Sequence, residues 1–366
     1  MSTIYLHIGT PKTGTTSLQA FFRDNEQVLN KKGIAYPDLG FRFPGIGENR
    51  NAGFLTAPVF KEDDVRDTEQ EKKNIEIGLE KLKALTSQYD KILLSDEHIW
   101  NEGTLDTKGW KELKEKFEKI GAELKIVVYF RRQDQVIQSY WAQQVKEGSP
   151  TPFTNYLKRK QYFKLDYAER LKEIAEGVGK ENIIVRVYED GQYEGEEKTI
   201  ISDFLNIFGL RLQDGFATEE VIKNTSLQGI YLETKRLLNN NPDYQGKGNF
   251  SIQMIQRVQK KDLALERVNP KLLEKPVYMD GKQQREYLST YDEGNASIAK
   301  EYLEREDGKL FYAPLLDDDV KVTKYEKNDV IMVCSRIILD LRRRKKPEPS
   351  FRKKVSNFVK RKLGRA

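Results

Sequence analysis

A lysine and several hydroxyl-bearing residues lie between two glycines near the start of the chain, in the stretch IYLHIGTPKTGTTSLQAFF at residues 4–22. Gly9 and Gly14 allow the backbone to approach a ligand closely, so that loop N–H groups can point at an anion. Lys12 adds a positive charge, and a helix beginning near Thr15 would present its positive end to the same place. The stretch therefore predicts a strand, a phosphate-binding loop and a helix.

The position of the lysine distinguishes this loop from the nucleotide-binding loop of ATPases and GTPases. That loop has the pattern G-x-x-x-x-G-K-[ST], with the lysine directly after the second glycine. Here Thr15 holds that position, and Lys12 lies two residues before Gly14. Thr15 and Thr16 can still donate hydroxyl hydrogen bonds, but the sequence shows no obvious acidic Mg²⁺ partner. We therefore expect a phosphate other than that of ATP; a solvated turn is the alternative.

A second motif, IVVYFRRQDQVIQSYWAQQ at residues 126–144, combines an arginine with a serine eight positions later. Arg131 ends an apolar run that is typical of a strand, and Ser139 lies two turns up the following helix, near the same face. The two motifs together resemble sulfotransferases that use 3′-phosphoadenosine 5′-phosphosulfate (PAPS). In that family the first loop holds the 5′-phosphosulfate, and the arginine and serine hold the 3′-phosphate.

The resemblance implies a set of donor-binding residues. A third stretch, VRVYEDG at residues 185–191, resembles the strand-end Tyr-Glu-Asp of cytosolic sulfotransferases, whose tyrosine lies near the adenine. An ordinary aromatic residue that closes a buried strand is an equal alternative there. The chemistry requires no metal, and PAP is the expected product of PAPS. The residues expected to bind the donor are Pro11, Lys12, Thr13, Gly14, Thr15, Thr16, Arg131, Ser139 and Tyr188.

The chain also departs from the family pattern. Arg131 is followed by Arg132, where these enzymes often have Asn-Pro. It is therefore open which arginine faces the phosphate, although the eight-residue spacing favours Arg131. The glycine-containing basic loop that completes the nucleotide site in cytosolic members has no clear counterpart. Residues 223–239 and 291–303 resemble later segments of bacterial carbohydrate-type sulfotransferases.

Acidic residues and a histidine follow another predicted strand, in KILLSDEHIW at residues 91–100. Sulfuryl transfer needs a cation beside the leaving oxygen, for which we expect Lys12. It also needs a base for the acceptor hydroxyl. Several branches of carbohydrate sulfotransferases use Glu and the small-molecule branch uses His, so we expect Glu97 first and His98 second. Adjacent residues of an extended chain point to opposite faces, so only one is expected to serve.

Other titratable residues near these motifs have a structural alternative. His7 lies in the first predicted strand, and we expect it to support the loop rather than to react. Asp134 and Glu189 could enter the pocket, but helix capping and surface exposure explain them equally well.

The elements that must position these residues alternate in the first half of the chain. Short apolar runs predict buried strands, and apolar residues with a helical period predict helices between them. This order predicts an α/β fold with a P-loop-like three-layer core and a mainly parallel central sheet. Residues 36–58 are expected to form a long loop and a candidate acceptor-side wall. The predicted strands are Ile4–Ile8, Lys91–Ser95, Lys125–Phe130 and Ile183–Tyr188, and the predicted helices are Thr15–Arg23, Glu71–Leu85, Gln133–Lys146, Tyr167–Ile174 and Thr199–Phe208.

Beyond about residue 212 the strand signal fades. Helical patterns dominate instead, at Gln228–Leu238, Gln253–Leu265 and Ala296–Leu303. We therefore predict three segments: a PAPS-binding core at 1–212, a helical subdomain completing the same fold at 213–327, and an apolar helix with a basic amphipathic tail at 328–366.

The charge is unevenly distributed along the chain. Of the net +6, residues 341–366 carry +11, which leaves −5 for residues 1–340. This argues against a general nucleic-acid-binding surface on the body. The stretch FRKKVSNFVKRKLGRA, residues 351–366, has an apolar stripe flanked by basic residues, a pattern that suits an anionic membrane face. A disordered extension and a helix docked on the acidic body are the alternatives.

Cysteine usage and hydropathy bear on the compartment. The single cysteine, Cys334, excludes an intramolecular disulfide framework and suits a reducing environment. With one Cys and two His, a zinc site is not expected. The first apolar run, Ile4–Ile8, is short and has no basic segment before it, so we expect neither a signal peptide nor an anchor. The prediction is a cytoplasmic protein, with peripheral contact at the inner membrane face through the tail.

The function predicted from these observations is that of a bacterial-type sulfotransferase. It would transfer a sulfuryl group from PAPS to a hydroxyl of a carbohydrate, such as a polysaccharide, or of a glycolipid. A P-loop-type kinase or nucleotidase acting on a small molecule is one rival, against which the displaced Lys12 argues. A non-catalytic protein that binds PAPS or a polyanionic glycan is the other.

Overall fold

The computed structural model describes residues 1–101, 105–159, 164–217, 227–241, 248–265 and 274–344. Within these residues the chain forms a five-stranded sheet in which every pair of neighbours is parallel. The predicted α/β class with a parallel central sheet is confirmed. The strands are β1 (Ser2–His7), β2 (Ile34–Ala35), β3 (Lys91–Ser95), β4 (Ala122–Phe130) and β5 (Ile183–Val187), in the spatial order β2-β3-β1-β4-β5.

Helices alternate with the strands and then continue alone. The predicted helices are present, with ends that differ by a few residues. The sequence prediction missed β2, which is only two residues long, and five helices among the described residues: Glu26–Lys31, His98–Asn101, Thr107–Lys119, Phe153–Tyr156 and Gly281–Ser289. The third of these was missed although Trp110, Leu113 and Phe117 have helical spacing and are buried. The helices are α1 (Thr15–Asp24), α2 (Glu26–Lys31), α3 (Thr68–Thr86), α4 (His98–Asn101), α5 (Thr107–Lys119), α6 (Gln133–Glu147), α7 (Phe153–Tyr156), α8 (Tyr167–Val178), α9 (Ile200–Asn206), α10 (Gly229–Leu238), α11 (Gly248–Leu265), α12 (Gly281–Ser289), α13 (Asp292–Leu303) and α14 (Lys327–Arg344).

The central strand β1 is paired with β4 from Ser2 and with β3 from Thr3, in both cases through His7. Its last residue, His7, lies opposite Ser95 of β3 and Val127 of β4. Because the strands are parallel, their carboxyl ends meet at one edge of the sheet, where open α/β sheets place their sites. The loop after β1, the residues after β3 and those after β4 therefore meet at this edge.

Side chains of β4 alternate between two layers of helices. Tyr129 faces α9, where its ring centre lies 6.1 Å from that of Phe204 and its hydroxyl donates a 2.6 Å hydrogen bond to Asp203. Phe130 points to the opposite face and stacks on Tyr167 of α8 at 4.4 Å. All five side chains are buried. Helices therefore cover both faces of the sheet, as the predicted three-layer core requires.

The chain divides into two compact units that are both discontinuous in sequence. The first comprises residues 1–139, 159–223 and 281–320, and the second comprises residues 140–158, 224–280 and 321–366. The first unit holds the sheet, and the regular elements described in the second are helices. Residues 281–320, here called the returning segment, belong to the first unit. The segments 1–212, 213–327 and 328–366 stay a prediction.

Polar contacts over long sequence separations hold the returning segment in the first unit. The Gln133 amide donates to Asn295 Oδ1 at 2.8 Å, and the Asn295 amide donates back at 3.2 Å. Glu189, two residues beyond β5, accepts the N–H groups of Tyr312 and Ala313 at 2.8 and 2.6 Å. These bonds join positions 123 to 162 residues apart, so no local sequence pattern predicts them.

The described part of the chain contains no helix that is long and apolar enough to cross a membrane. The apolar helix predicted near the C-terminus is present as α14. The basic tail at 351–366 lies outside the described residues, and its contact with a membrane stays a prediction.

Replacing Phe204 by alanine is expected to lower the free energy of unfolding by about 3–5 kcal/mol, the usual cost of removing a buried ring. Phe204 is 0% exposed and packs against the rings of Phe22 and His7. Urea unfolding followed by far-UV circular dichroism measures the change. Phe60→Ala is the control, since Phe60 is 58% exposed and its loss should stay within about 0.5 kcal/mol. Equal losses would contradict the place of Phe204 in the core.

Candidate functional site

The loop after β1 stays paired with β4 before it turns away. The N–H of Tyr129 donates to Gly9 O at 2.7 Å, and the N–H of Thr10 donates back to Tyr129 O at 3.0 Å. The Thr10 hydroxyl reaches the same carbonyl at 3.1 Å, and the fully buried Thr13 hydroxyl donates to Thr10 O at 2.5 Å. Two of the loop hydroxyls therefore hold the loop in shape from the inside.

The start of α1 offers backbone N–H groups to this loop. Gly14 is the cap residue, with φ 75°, and no side chain caps this end of the helix. The first bonds inside the helix run from the N–H groups of Ser17 and Leu18 to Gly14 O. The first N–H groups of a helix have no partner within it, and the helix dipole attracts anions to this end. Lys12 lies close by in sequence with φ 72°, a left-handed backbone that is uncommon for a lysine.

The remaining predicted loop residues differ in exposure. Pro11 and Lys12 are half-buried, Thr15 is buried and Thr16 is exposed. Of the two hydroxyls that the sequence proposed as anion donors, the one of Thr16 is therefore the more accessible.

Arg131 connects the loop to the end of β4. Its Nη1 donates to Lys12 O at 3.0 Å, and its Nε donates to Gln135 Oε1 at 3.2 Å. Its guanidinium carbon lies 5.3 Å from the centre of the Tyr188 ring, a distance typical of a cation–π contact. The carbonyl of Arg131 accepts a 2.7 Å bond from the Tyr167 hydroxyl, which fixes the backbone at this point. Three residues that the sequence predicted from separate motifs therefore lie together.

Tyr188 also packs against the cap of α1. A Cβ atom at Gly14 would lie 3.2 Å from Tyr188 Cε2. The tyrosine is half-buried, and its ring centre lies 6.0 Å from that of Tyr193 in an edge-on arrangement. A partly accessible ring beside a cation and an anion-binding loop can stack on a base, whereas a fully buried ring would only contribute packing.

The second arginine, Arg132, forms a buried ion pair away from the loop. Its Nε and Nη2 donate to the Asp134 carboxylate at 2.8 and 3.1 Å, and its Nη1 donates to Ala313 O at 2.7 Å. The Gln284 amide donates a further 2.6 Å bond to Asp134. Arg131 therefore contacts the loop and Arg132 holds the returning segment, while the choice of the arginine that faces a phosphate stays a prediction. Asp134 serves this ion pair.

Ser139 lies one helical turn beyond Gln135 on α6. Residues four apart share one face of a helix, so Ser139 continues the face on which Gln135 meets Arg131. Ser139 is half-buried, and among the described residues no hydrogen bond joins its side chain to Arg131. Ser139 is therefore related to Arg131 through Gln135, without direct contact between the predicted pair.

Glu97 packs against the first glycine of the loop. A Cβ atom at Gly9, which has φ 97°, would lie 2.9 Å from Glu97 Cβ, so a larger residue does not fit there without a shift. Glu97 Oε2 accepts a 2.8 Å bond from Gln19 Nε2 of α1, and the Glu97 side chain is 15% exposed. His98 is exposed at the start of α4. Of the two predicted bases, Glu97 lies beside the loop and His98 is more open to solvent; the catalytic role stays a prediction for both.

An arginine that the sequence analysis missed lies between the carboxyl groups of Asp96 and Glu97. Arg50, from the long loop 36–58, forms an ion pair with Asp96, and its Nε lies 3.6 Å from Glu97 Oε2. The side chains of Arg50 and Asp96 are 8% and 1% exposed. Asp96 Oδ1 also accepts the N–H of His98 at 2.9 Å, whereas Oδ2 has no hydrogen-bond partner in the described structure. A single arginine in a loop rich in glycine carries no sequence signal of this role.

Burial and the charge of Arg50 act in opposite directions on the two carboxyl groups. Burial raises the pKa of Asp96 above its usual value, and the Arg50 guanidinium offsets only part of that shift. Burial also raises the pKa of Glu97, but the charge of Arg50, together with hydrogen bonds that include the one from Gln19, lowers it below its usual value. Glu97 is therefore ionised at neutral pH, as a general base must be.

His7 supports Glu97 from within the sheet. It is fully buried, and its Nδ1 lies 2.9 Å from Ser95 Oγ, which also accepts a 3.2 Å bond from Gln19 Nε2. Burial lowers the pKa of His7 to about 4, against the opposing effect of the Glu97 charge, so the ring is neutral at pH 7. This neutral ring behind the Ser95–Gln19–Glu97 contacts agrees with the structural role expected from the sequence.

The described residues contain no group of three or more His, Cys, Asp and Glu side chains that could hold a metal ion. The candidate site instead combines a helix start, two cations and an aromatic ring at one edge of the sheet. Such an arrangement suits an anionic ligand with a planar part.

Comparison with known proteins finds limited similarity. No protein-family model matches the chain, and no curated protein matches it. Among solved structures, the crystal structure of a sulfotransferase from Alicyclobacillus acidocaldarius aligns with a TM-score of 0.35 and 13% sequence identity. The alignment covers 65% of this chain and 95% of that one. At this level of similarity no residue role is transferred from that protein.

Gly9→Ala is expected to lower the free energy of unfolding by about 1–3 kcal/mol more than Gly121→Ala does. Both glycines have positive φ, 97° and 86°, so both variants place alanine in a strained backbone. Only at Gly9 would the new methyl group collide with Glu97; no atom lies within 4 Å of a Cβ at Gly121. Urea unfolding of the two variants measures the difference. If both lose the same stability, Glu97 does not pack against the loop.

Proposed function

We propose that this chain is a sulfotransferase that transfers a sulfuryl group from PAPS to a hydroxyl of a carbohydrate or glycolipid. One observation carries the proposal: Arg131 contacts Lys12 O at 3.0 Å and lies against the Tyr188 ring, which in turn packs against Gly14. A nucleoside with phosphates at its 3′ and 5′ positions requires a loop for one phosphate, a cation for the other and an aromatic ring for its base.

The loop after β1 would hold the 5′-phosphosulfate of the donor. Backbone N–H groups at the start of α1 would bind its oxygens, helped by the Thr16 hydroxyl and the Lys12 charge. The Thr13 hydroxyl donates a hydrogen bond within the loop, so Thr13 would bind the donor through its backbone N–H. The residues present fit this group, since no side chain caps the helix start at Gly14 by a hydrogen bond.

Arg131 would hold the 3′-phosphate, with Ser139 one turn beyond Gln135 on the same face of α6. A guanidinium has five N–H donors in a fork that matches two phosphate oxygens at once. The bonds to Lys12 O and Gln135 engage Nη1 and Nε, and the remaining N–H groups can serve the phosphate. ATP and GTP lack a 3′-phosphate, so this contact would select the donor. Tyr188 would stack on the adenine.

Lys12 and Glu97 would share the chemistry of the transfer. The bond between sulfur and the donor phosphate oxygen breaks, and Lys12 would stabilise the charge that this oxygen gains. The acceptor oxygen forms the new bond to sulfur, and Glu97 would take its proton. PAP and a sulfate ester are the products. The balance needs neither a metal ion nor an oxidant.

The long loop 36–58 would form the acceptor side of the site. Its residues Arg50 and Gly53 adjoin Glu97 and Asp96. Residues 54–57 line a cavity of about 340 Å³ with parts of α3 and α5, a volume at the lower end of the range for small-molecule sites. Its lining mixes apolar side chains with Arg66, Lys72, Lys116, Glu71 and Glu112, as suits a polar acceptor.

Arg131→Ala is expected to weaken binding of 3′,5′-adenosine bisphosphate roughly ten- to a hundredfold, because hydrogen bonds to a charged group are lost. Isothermal titration of the wild type and the variant measures the change. Arg211→Ala is the control, since this arginine is 65% exposed. Preferential binding of MgATP that is indifferent to Arg131→Ala would overturn the proposal in favour of a kinase.

Glu97→Gln is expected to reduce kcat by roughly 10²–10⁴-fold, the usual contribution of a general base, with little effect on bisphosphate affinity. His98→Gln, at the exposed neighbouring position, should leave kcat nearly unchanged. Release of PAP from PAPS in the presence of a panel of oligosaccharides measures the rate. A large loss in His98→Gln alone would move the base to the histidine.

A further inference from the structure

We propose that Arg50, held in place by Asp96, holds the Glu97 carboxyl group against the loop and is therefore a positioning residue for the proposed base. The inference rests on the proposed function only for what Glu97 does. The arrangement itself stands on the contacts of the long loop with the end of β3.

The long loop brings Arg50 to this place through contacts of the Asn51 side chain and the Ala52 backbone with the backbone of β3. The Asn51 amide donates to Leu93 O at 3.1 Å, and its oxygen accepts the N–H of Ser95 at 2.8 Å. Asn51 is buried, and the N–H of Ala52 reaches Ser95 O at 3.4 Å. Arg50 is therefore held next to Asp96 and Glu97.

Arg50 has one carboxylate on each side. The ion pair with Asp96 is almost wholly removed from solvent, at 8% and 1% exposure, and Glu97 Oε2 lies 3.6 Å from Nε. That second distance is too long for a hydrogen bond, so Arg50 acts on Glu97 through its charge while Gln19 supplies the hydrogen bond to the same oxygen. One oxygen of Glu97 is thereby fixed from two elements.

Without Arg50, two neighbouring carboxyl groups would share a poorly solvated place. Two such groups cannot both stay ionised at little cost, and the pKa of one rises strongly. Asp96 is the more deeply buried, but Glu97 would lose its main compensating charge as well. The charged and titratable groups that act on Glu97 or face it from the elements around it are Arg50, Asp96, His98, His7 and Tyr36.

The decisive experiment is a double-mutant cycle of Arg50→Gln and Glu97→Gln, measured as the free energy of unfolding in urea below and well above pH 4.5, the ordinary pKa of glutamate. In the wild type Glu97 has a lowered pKa, so its stabilisation is present above pH 4.5 and is lost as the pH falls. In Arg50→Gln the effect of burial on Glu97 is no longer opposed, so the pKa of Glu97 rises above 4.5. Its ionised form then destabilises the protein as the pH rises.

We therefore expect Arg50→Gln to raise the unfolding equilibrium constant roughly tenfold more at the higher pH than at the lower one, since one pKa unit is a factor of ten. Adding Glu97→Gln should remove this extra loss. Arg211→Gln is the control, because Arg211 is 65% exposed and lies 3.9 Å from the equally exposed Glu196; it should show no such pH dependence. If only Asp96→Asn, and not Glu97→Gln, removes the extra loss, Arg50 serves Asp96 alone and the proposal is overturned.

The second readout is the pH profile of kcat/KM for PAP release from PAPS with the acceptor that the oligosaccharide panel identifies. The acidic limb should move up by about one to three pH units in Arg50→Gln, the effect of removing an opposite charge at this distance. Arg50→Lys should move it less, and the affinity for 3′,5′-adenosine bisphosphate should not change. An unmoved limb with lowered activity would overturn the proposal and leave Arg50 a purely structural role. Coupling in the stability cycle without binding of 3′,5′-adenosine bisphosphate would support the placement of Glu97 and refute the sulfotransferase assignment.

Discussion

The parallel pairing of β1 between β3 and β4 is the constraint on which the candidate site depends. Its register places His7 opposite Ser95 and Val127, and the pairing with β4 continues through Gly9 and Thr10. Three chain segments therefore leave the sheet at the same edge. One carries Lys12, one carries Glu97 and one carries Arg131. A slip of one residue in either pairing would turn these side chains to the wrong face.

Carboxylates close to an anion-binding loop would weaken it unless their charges are compensated. The buried ones near this edge each have a partner: Asp96 pairs with Arg50, and Asp134 pairs with Arg132. Glu189 is bound by two backbone N–H groups of the returning segment. Because a paired charge has a much weaker field at a distance than an isolated one, the start of α1 and Arg131 are left to set the local potential.

The end of β4 shows how one short segment serves two purposes. Arg131 and Arg132 are adjacent, and side chains of adjacent residues in an extended chain diverge. One reaches the loop and the Tyr188 ring, while the other reaches Ala313 of the returning segment. The returning segment is thereby tied to the same strand end that holds the loop, and its placement and that of the loop are mechanically linked.

The sequence by itself determined the elements and the motifs. Apolar periodicity predicted four of the strands and most of the helices, and residue spacing predicted the loop at Gly9–Gly14, because these signals act within a few residues of one another. The pair Arg131 and Ser139 was predicted by the resemblance of its motif to that of a known family. The tertiary structure decided which side chain of two adjacent residues lies at the loop. Arg131 rather than Arg132 meets the loop, Glu97 rather than His98 lies against it, and Arg50 joins the cluster. Each of these outcomes depends on contacts between residues 46 to 181 positions apart, and such contacts arise only when the strands have paired and the loops have packed on their ends.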